Sequence, residues 1–495
     1  MNRVPSLIKA KPVLIGFLTL VVILASFFHL PVQIVDALSA EPVPGFDIHI
    51  SAWRILFEPF TGPLLFYLRA DQPVDEFFIL LIWILAVYLI STVLIEASRG
   101  KLRGTFSPVQ ILNSLLTWLK MTPMIAVSWL GLLWLIIYIP LPANRIENHR
   151  EYAILINTHS HTEFSHDGII STKALRKWHK KNGFDAFFIS DHNHHQKTLE
   201  TVKAQEEGSF PQDPLILGGE EYSGSNHMTL LGLDRDFSTG ELSDQQVIDT
   251  THAGDGIVIV AHWFDDENKS IPFFTNMGVD GFEIVNQASG LSYDRRVFRN
   301  IVNTCDSLGL LMTGAADYHG YGSSCFVWNA LEIPGWHNMS LKQKRESIMD
   351  ILRQKDMSRI RVLIYHDRNT FERSMIALSP VYNFVNYFRT LNIWQLLSWF
   401  LWILLINMLA RNKHKIQKSR LSWHHIKAIQ IMATISSLFL LSNGVLLWVK
   451  ARRLTAYNEI YSEYSTLLLV LGAGFLAYTS VFLWLSVKRI RSEKK

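Results

Sequence analysis

The chain has 495 residues, of which 49% are hydrophobic and 18% are charged, with a mean hydropathy of +0.15 and a formal net charge of +4. This composition is too apolar for an ordinary soluble enzyme and too charged for a simple bundle of membrane helices, so it predicts a chain that combines both. Residues 151 to 370 contain 20 Lys and Arg against 30 Asp and Glu, which argues against nucleic acid as a ligand because nucleic acid binds basic surfaces.

Six apolar runs flank this polar middle, three on each side, and each is close to the length of about 20 residues that a helix needs to cross a membrane. They lie at 12–32, 76–97, 119–140, 391–411, 428–449 and 465–487. A further stretch at 50–68 contains Arg54, Glu58, Pro59 and Pro63, which favours an interfacial or re-entrant element over a seventh span. The sequence therefore predicts an N-terminal membrane region at 1–149, a central domain at 150–372 and a C-terminal membrane region at 373–495.

The distribution of basic residues predicts the orientation, since cytoplasmic loops carry an excess of lysine and arginine. Basic clusters at 3–11, 99–103, 411–420 and 488–495 all fall on one side if the chain has six spans. We therefore expect a multi-pass protein of the cell (inner) membrane with cytoplasmic termini and an extracytoplasmic, periplasmic central domain. That compartment would permit a disulfide between Cys305 and Cys325, with two buried free thiols as the alternative. The basic start of the first run also leaves a cleaved signal peptide open.

Within the central domain, short apolar runs alternate with helical patterns. Eight runs predict strands: YAILINT, FDAFFIS, PLILGG, MTLLGL, GIVIVA, GFEIVN, LLMTGA and NALEI. Helices are predicted best at STKALRKWHKKN, DQQVIDTTHAG and RRVFRNIVNTCDSLG. Such alternation is typical of an α/β domain with a mostly parallel sheet, either open or closed into a barrel.

Histidine and carboxylate residues follow five of these strands, at the ends where a barrel carries its chemistry. They are His159 and His161, Asp191 and His192, Glu220 and Glu221, His262, and Asp317 and His319. His227 instead opens a strand, so we expect it to reach the others from the preceding loop. In His-x-His and Asp-x-His patterns both side chains point to one face of an extended chain and can bind one ion. Buried charges are normally paired or bound to metal, so the pattern predicts a metal site.

Taken together and in order, these motifs resemble the polymerase and histidinol phosphatase (PHP) family of metal-dependent phosphoesterases. The matching segments are HSHTEFSHDG, ISDHN, GGEEYSGSNHMTLLGL, VIVAHW and TGAADYHG, within residues 151 to 335. The resemblance implies a distorted (βα)7 TIM-like barrel, here inserted between two sets of three transmembrane α-helices. It also implies two or three divalent transition-metal ions.

Carried over residue by residue, the resemblance implies that nine side chains hold these ions. His159, His161, Glu221 and Asp317 would surround one ion, Glu221 would bridge to a second held by His227 and His262, and a third would be held by Asp167, His192 and His319. Glu221 is preferred to Glu220 because GGEEYS matches a family pattern of a glycine, a variable residue, a glutamate, an apolar residue and a small hydroxylic residue.

These ligands suit zinc, manganese or iron better than magnesium or calcium, and the sequence does not choose among the three. We therefore expect a membrane-anchored hydrolase that attacks a phosphoester with metal-bound hydroxide. The leaving group would be protonated by Asp191, His194 or His195. Asp191 would alternatively orient a ligand imidazole.

The lipid bilayer is the expected partner, and the substrate is expected to be a small-molecule or lipid-linked phosphoester, for example a cell-envelope phosphate. Glu283 and Asn286 end another strand, where they either line the pocket or make only strand-end hydrogen bonds. Two alternatives stay open for the function. One is a metal-dependent hydrolase of a non-phosphate ester, amide or carbamate, and the other is a non-catalytic metal-binding module of the cell envelope.

Overall fold

The computed structural model describes residues 12–70, 72–102, 108–263, 269–288, 295–369, 373–413, 421–453 and 458–492. The strands are β1 Gln33–Asp36, β2 Phe46–His49, β3 Arg145–Asn148, β4 Ala153–Asn157, β5 Ala186–Ile189, β6 Leu215–Ser223, β7 His227–Leu231, β8 Ile257–Val260, β9 Gly281–Asn286, β10 Leu311–Ala315, β11 Val327–Glu332 and β12 Ile360–His366. The helices are α1 Pro12–Phe27, α2 Ala52–Leu56, α3 Glu58–Leu68, α4 Pro73–Leu102, α5 Pro108–Tyr138, α6 Thr172–Lys181, α7 Gln196–Glu206, α8 Asp244–His252, α9 Ile271–Met277, α10 Arg295–Leu308, α11 Leu341–Arg353, α12 Ser379–Arg389, α13 Ile393–Lys413, α14 Leu421–Arg453 and α15 Ile460–Ser492.

Ten strands form one curled sheet in the order β1-β12-β11-β4-β5-β6-β7-β8-β9-β10. All eight strands predicted from the sequence are present, and the three predicted helices correspond to α6, α8 and α10. The sheet is more mixed than the predicted, mostly parallel one. The pairs β4-β5, β5-β6, β8-β9 and β9-β10 are parallel, whereas the other five neighbouring pairs are antiparallel.

The central strands are mostly apolar because both of their faces are covered. Every residue of β4, β5, β8, β9 and β10 is buried, as is typical of strands with packing on both faces. Alternate residues of β4 belong to two separate cores. Leu155 packs in the core that includes Leu175 of α6, whereas Ile154 and Ile156 pack in the core that includes Ile348 of α11.

The two ends of the sheet approach each other where β10 lies close to β11 and β12. Asn329 of β11 donates from Nδ2 to the carbonyl oxygen of Gly314 at 2.7 Å and accepts from the Gly314 amide, also at 2.7 Å. A Cβ at Gly314 would lie 2.5 Å from Val327 Cγ1 and 2.7 Å from Val362 Cγ1. Glycine therefore leaves room for these two valine side chains where β10 lies against β11 and β12. The sheet as a whole is curled into a half-barrel.

His227 opens β7 and reaches the other histidine and carboxylate residues as expected, but from the strand itself and not from the preceding loop. It pairs with Ser223 of β6. Because β7 runs opposite to both of its neighbours, its first residue lies at the same edge as the last residues of β6 and β8. The amide of Ala261, next to His262, donates to the His227 carbonyl oxygen at 2.9 Å.

Four helices in the described part of the chain are long and apolar enough to cross a membrane: Pro73–Ile95, Pro108–Tyr138, Ile426–Arg453 and Ile460–Leu485. The predicted span at 391–411 reaches this criterion only as part of a bent pair, in which Ser374–Arg389 and Ile393–Met408 meet at 112°. Helix α1, within the predicted first span, has 16 residues. The stretch at 50–68 divides into the short helices α2 and α3. The arrangement of three spans on each side therefore remains a prediction.

The long helices contact both one another and the sheet domain. Helices α5, α14 and α15 share a core that includes Met124, Leu440 and Leu468, and Ile169 of the sheet domain packs into the same core. Strand β1, from the N-terminal region, pairs with β12 at the edge of the sheet. The domain with the sheet is thus joined to its flanks by packing as well as by the chain.

The two cysteines do not form a disulfide. Both Cys305 and Cys325 are free and buried, and the Cys325 thiol donates to the carbonyl oxygen of Val327 at 3.4 Å. The second alternative drawn from the sequence, two buried free thiols, is the one found.

Candidate metal centre

The histidine and carboxylate residues predicted from the strand ends lie together at one edge of the sheet. Short backbone contacts beyond the strands hold this edge. The Asp317 amide donates to the His159 carbonyl oxygen at 2.9 Å, and the His161 amide donates to that of Tyr318 at 3.0 Å. Pairing of His192 with Glu221 continues β5 beside β6 in the same way. The nine side chains brought together are His159, His161, Asp167, His192, Glu221, His227, His262, Asp317 and His319.

Glu221 lies at the middle of this cluster, with its carboxylate facing five imidazoles. Its Oε2 atom is 2.9 Å from His159 Nε2, 3.1 Å from His161 Nε2 and 3.2 Å from His192 Nε2. Its Oε1 atom faces two further rings, 2.8 Å from His227 Nδ1 and 3.0 Å from His262 Nε2. Glu221 is buried, so these contacts are made away from water.

Two aspartates complete the cluster. Asp317 Oδ1 lies 3.1 Å from His161 Nε2, and Asp167 Oδ2 lies 2.9 Å from His319 Nε2 and 3.3 Å from His192 Nε2. Three overlapping groups have their ligand atoms within 4.8 Å of one another. They are His159, His161, Glu221 and Asp317; His161, Asp167, His192 and His319; and His192, Glu221 and His227.

Glu283 and Asn286, at the end of β9, orient several members of the cluster. Glu283 Oε1 lies 2.8 Å from His159 Nδ1, and Glu283 Oε2 accepts from the His262 amide at 3.0 Å. Asn286 Nδ2 donates to Glu283 Oε2 at 3.0 Å and to Asp317 Oδ2 at 3.1 Å. Such contacts fix which ring nitrogen of a histidine is available to a metal and where it points.

The charges in the cluster stabilise one another. Burial would lower the pKa of His161, but its contacts with Asp317 and Glu221 raise that pKa to about 10. Burial also opposes the charged form of His262, yet Glu221 raises the pKa of His262 to about 9. Burial would raise the pKa of Glu221, but His159 and His192 hold it well below its usual range. The carboxylates of the site therefore stay ionised and favour positive charge on the imidazoles that face them.

Two members of the cluster have an unusual backbone conformation. His262 has a φ of 25° and Asp317 a φ of 43°. Non-glycine residues with positive φ are uncommon and cost of order 1–3 kcal/mol, and they concentrate at functional sites. The chain thus accepts strain at two positions where a side chain must be aimed at the cluster.

The residues considered as proton donors lie outside the three groups. Asp191 is buried and accepts from the Thr162 amide at 2.5 Å and from Thr162 Oγ1 at 2.7 Å, so both of its oxygens hold the loop after His161. His194 is half-buried beside it. His195 is buried against Glu220, whose other oxygen accepts from Thr239 at 2.6 Å. Glu220 therefore faces away from the cluster, as strand alternation requires.

Asn458 is a part of the site that the sequence analysis missed. Its side-chain amide donates to the carbonyl oxygens of Glu163, Ser165 and Gly168 at 3.3, 2.9 and 2.7 Å. These residues flank Asp167, so the start of α15 holds the loop that carries this carboxylate. An asparagine before a helix gives no signal of such a contact, because its partners are about 290 positions away.

No family model and no curated protein matches the sequence. Several solved structures are similar to part of the chain. One is a two-domain protein from Bacteroides vulgatus containing a predicted PHP-like metal-dependent phosphoesterase, with 16% identity, a TM-score of 0.33, and coverage of 46% of this chain and 70% of that chain. Another, named as a metal-dependent phosphoesterase, is from Bifidobacterium adolescentis, with 19% identity, a TM-score of 0.27, and coverage of 34% and 88%. A third is an amidohydrolase from Chromobacterium violaceum with bound sulfate and no metal, at 14% identity, a TM-score of 0.28, and coverage of 38% and 96%.

Proposed function

We propose that this chain is a metal-dependent phosphoester hydrolase anchored by its flanking helices, with the sheet domain on the extracytoplasmic side. The observation that carries the proposal is the convergence of six imidazoles and three carboxylates, all but His262 in overlapping groups that share His161, His192 and Glu221, and His262 in contact with Glu221. In a simple ion pair, one cationic group is enough to balance the charge of one carboxylate. This cluster instead surrounds one carboxylate with five rings.

The distances between donor atoms fit ligands that share an ion. Metal ions such as zinc lie about 2.0–2.2 Å from nitrogen and oxygen ligands, so two ligands of one ion lie roughly 2.8–3.6 Å apart for angles between octahedral and tetrahedral. His161 Nε2 is 3.1 Å from Glu221 Oε2 and 3.1 Å from Asp317 Oδ1. His227 Nδ1 lies 2.8 Å from Glu221 Oε1, yet within the described residues this ring nitrogen makes no hydrogen bond. The ring nitrogen is therefore aimed past the carboxylate, as it would be toward a shared ion.

The donor set favours zinc, manganese or iron, because imidazole is a poor ligand for magnesium and calcium. Two or three ions would be held by these groups, and Glu221, which two of the groups share, would be a ligand common to them. Divalent ions held in this way would lower the pKa of water and stabilise the charge that develops on a phosphoryl group. Hydrolysis then adds the water oxygen to phosphorus, breaks the bond to the alcohol oxygen, and releases the alcohol with a proton.

The chain's own residues have distinct roles in this proposal. Glu283 holds the tautomer and direction of His159 by accepting from its Nδ1 atom. Asp191 acts as a positioning residue for the loop after His161, because both of its oxygens are engaged with Thr162. His194, half-buried and close to Asp191, is the remaining candidate for protonating the leaving group.

The proposed orientation follows from the ends of the long helices. Helix α5 ends, and α15 begins, against the sheet domain, because the Gly322 amide donates to the Ile137 carbonyl oxygen and Asn458 holds the loop of Asp167. The basic clusters at 99–103 and 488–495 begin in the last turns of α4 and α15, at the ends of these helices that lie away from the sheet domain. By the excess of positive charge on cytoplasmic loops, the domain would be extracytoplasmic.

The test is metal content and hydrolysis by the purified full-length protein. Wild type should contain at least two equivalents of transition metal and release phosphate or nitrophenol from aryl phosphoesters, whereas aryl carbamates should not be cleaved. His159→Ala and Asp317→Ala should lose metal and activity together. The matched control is His252→Ala, since His252 also pairs with a carboxylate, Asp280 at 2.8 Å, but lies outside the cluster. Cleavage of carbamates in place of phosphoesters would contradict the proposal, as would fewer than two equivalents of metal.

A further inference from the structure

A cavity of about 480 Å³ connects the metal centre to the long helices. Asp167, Asp317 and His319 form one end of it. The opposite wall is built from α3, α4 and α5 and includes Leu68, Val74, Phe77 and Ile136. Its volume lies within the range of about 300–1,000 Å³ that is usual for small-molecule sites. The cluster therefore opens into a pocket whose far wall belongs to the membrane helices.

The position of this wall in the helices fixes where the cavity lies. Val74 and Phe77 are in the first turns of α4, and Ile136 is in the last turn of α5. Both helices are long and apolar enough to span a membrane. The cavity thus lies at the ends of α4 and α5 that meet the sheet domain, where these helices would emerge from the hydrocarbon layer of a membrane. Val74, a lining residue, is 54% exposed, so the cavity wall includes a side chain at the surface of α4.

The chemistry of the two ends differs sharply. Among the described residues, no lysine or arginine lines the cavity, so away from the metal centre there is no cationic side chain to bind a second charged group. The side chains that α4 and α5 contribute to the cavity wall are all apolar. An apolar wall stabilises a hydrocarbon chain by roughly 0.8 kcal/mol for each methylene removed from water.

We propose that the substrate is an amphipathic lipid phosphoester, whose phosphate meets the metal centre while its apolar chain lies in this cavity. The inference rests on the proposed function and adds the substrate class. The lipid enters from the membrane side, beside the first turn of α4. The Tyr321 and Tyr464 hydroxyls, hydrogen-bonded to each other at 3.0 Å, join the sheet domain to α15 in the cavity wall.

The experiment uses the full-length protein in nanodiscs with manganese or zinc. Two substrate series, alkyl phosphates and alkyl 4-nitrophenyl phosphodiesters, run from methyl to hexadecyl chains. Binding of the alkyl phosphates is measured separately by native mass spectrometry. The variant Val74→Trp narrows the cavity, and Val87→Trp is its matched control, because Val87 is a similarly exposed valine of α4 that does not line the cavity.

In wild type, KM should fall with chain length by up to about fourfold per methylene that enters the cavity. Val74→Trp should raise KM for long chains, relative to methyl esters, by about tenfold or more, as expected for the loss of two or more buried methylenes. Val87→Trp should leave this ratio as in wild type. Long-chain substrates partition into the nanodisc bilayer to the same extent with wild type and both variants. This effect therefore cancels when the KM ratios of the three proteins are compared.

The outcomes separate the two proposals. Metal-dependent hydrolysis that is independent of chain length, or equal effects of the two tryptophan variants, would overturn the lipid assignment and leave the hydrolase proposal standing. Chain-length-dependent binding that Val74→Trp weakens, without hydrolysis of any ester, would overturn the hydrolase proposal and leave the cavity as a lipid-phosphate site. Binding of methyl and hexadecyl phosphate with equal affinity would overturn the assignment of the cavity directly.

Discussion

Asn458 donates a hydrogen bond to the carbonyl oxygen of Ser165 at 2.9 Å, across 293 positions of sequence. The same amide reaches the carbonyl oxygens of Glu163 and Gly168, so it holds the turn on which Asp167 is presented. Asn458 Oδ1 meanwhile accepts from the Tyr461 amide at 3.0 Å at the start of α15. One side chain therefore connects the start of a long apolar helix to the candidate metal centre.

The first prediction separates these two roles of Asn458. Asn458→Asp keeps an acceptor for the Tyr461 amide but loses the donor to the three carbonyl oxygens. Buried acceptors left without a donor cost about 1–3 kcal/mol. We therefore expect the metal affinity of the Asp167 side of the cluster to fall by roughly 5- to 150-fold, as measured by competition with a chelator.

The matched control for this prediction is Asn443→Ala. Asn443 is a buried asparagine of α14, and within the described residues its side chain donates to the Phe439 carbonyl oxygen of its own helix, at 2.8 Å. It should retain metal as wild type does. Wild-type metal affinity in Asn458→Asp would show that the loop keeps its shape without this contact.

The second prediction distinguishes the neighbouring residues Glu221 and Glu220. Glu221→Gln removes the charge that five imidazoles face, so metal content should fall by at least one equivalent and hydrolysis should be lost. Glu220→Gln weakens the buried pair with His195 and Thr239 on the other face, so metal should stay bound while stability falls by about 1–3 kcal/mol. Elemental analysis and thermal unfolding of both variants provide the measurements. Equal metal loss in the two would contradict the assignment of Glu221.

The side-chain directions at the strand ends were predictable because side chains alternate along a strand. The spacing of two residues therefore tells whether they point to the same face of the sheet. His159 and His161 point the same way, and Glu220 and Glu221 point opposite ways, whatever the rest of the fold does. This reasoning needs only local geometry. It explains why the edge of the sheet that carries the histidines could be identified before the strands were ordered.

Features that depend on distant contacts were not predictable. An apolar run such as MTLLGL has the same pattern in either direction, so the antiparallel pairing of β7 with β6 and β8 could not be read from spacing. Strand β1 joins the sheet from about 330 positions away from its partner β12. The cavity wall from α3, α4 and α5 likewise depends on how the helices pack against the sheet domain, which hydropathy does not encode.

The third prediction concerns the two cysteines. Burial raises the pKa of the Cys305 thiol to about 12, and burial also raises the pKa of Cys325 above its usual range. Because the thiolate is the reactive form, neither should react with a thiol reagent at neutral pH while the protein is folded. Mass spectrometry after maleimide treatment should count no labels on the native protein and two after denaturation without a reductant. A single label, or none, after denaturation would contradict two free thiols.

The last prediction is an acid sensitivity that originates at His179, outside the cluster. Burial lowers the pKa of His179 to about 3. Its ring stacks on Phe187 with centroids 3.8 Å apart, Nδ1 lies 3.0 Å from the Leu175 carbonyl oxygen, and Nε2 lies 3.0 Å from Asn157 Nδ2. The same Asn157 amide donates to the His159 carbonyl oxygen at 2.8 Å, so neutral His179 supports the backbone of a cluster residue.

The sign of the effect follows from the direction of this shift. The unfolded chain takes up a proton at His179 below about pH 6.5, whereas the folded protein does so only near pH 3, so the stabilisation is complete above about pH 6.5. Below that pH it declines by up to about 1.4 kcal/mol per pH unit. His179→Gln removes the titrating group. Between pH 6 and pH 4 its free energy of unfolding should therefore change with pH less steeply than that of wild type, by the equivalent of close to one bound proton. Both proteins are compared with a chelator present, so that acid release of metal does not contribute. Parallel slopes would mean that His179 is already protonated in the folded state, and its support of His159 through Asn157 would then have to be abandoned.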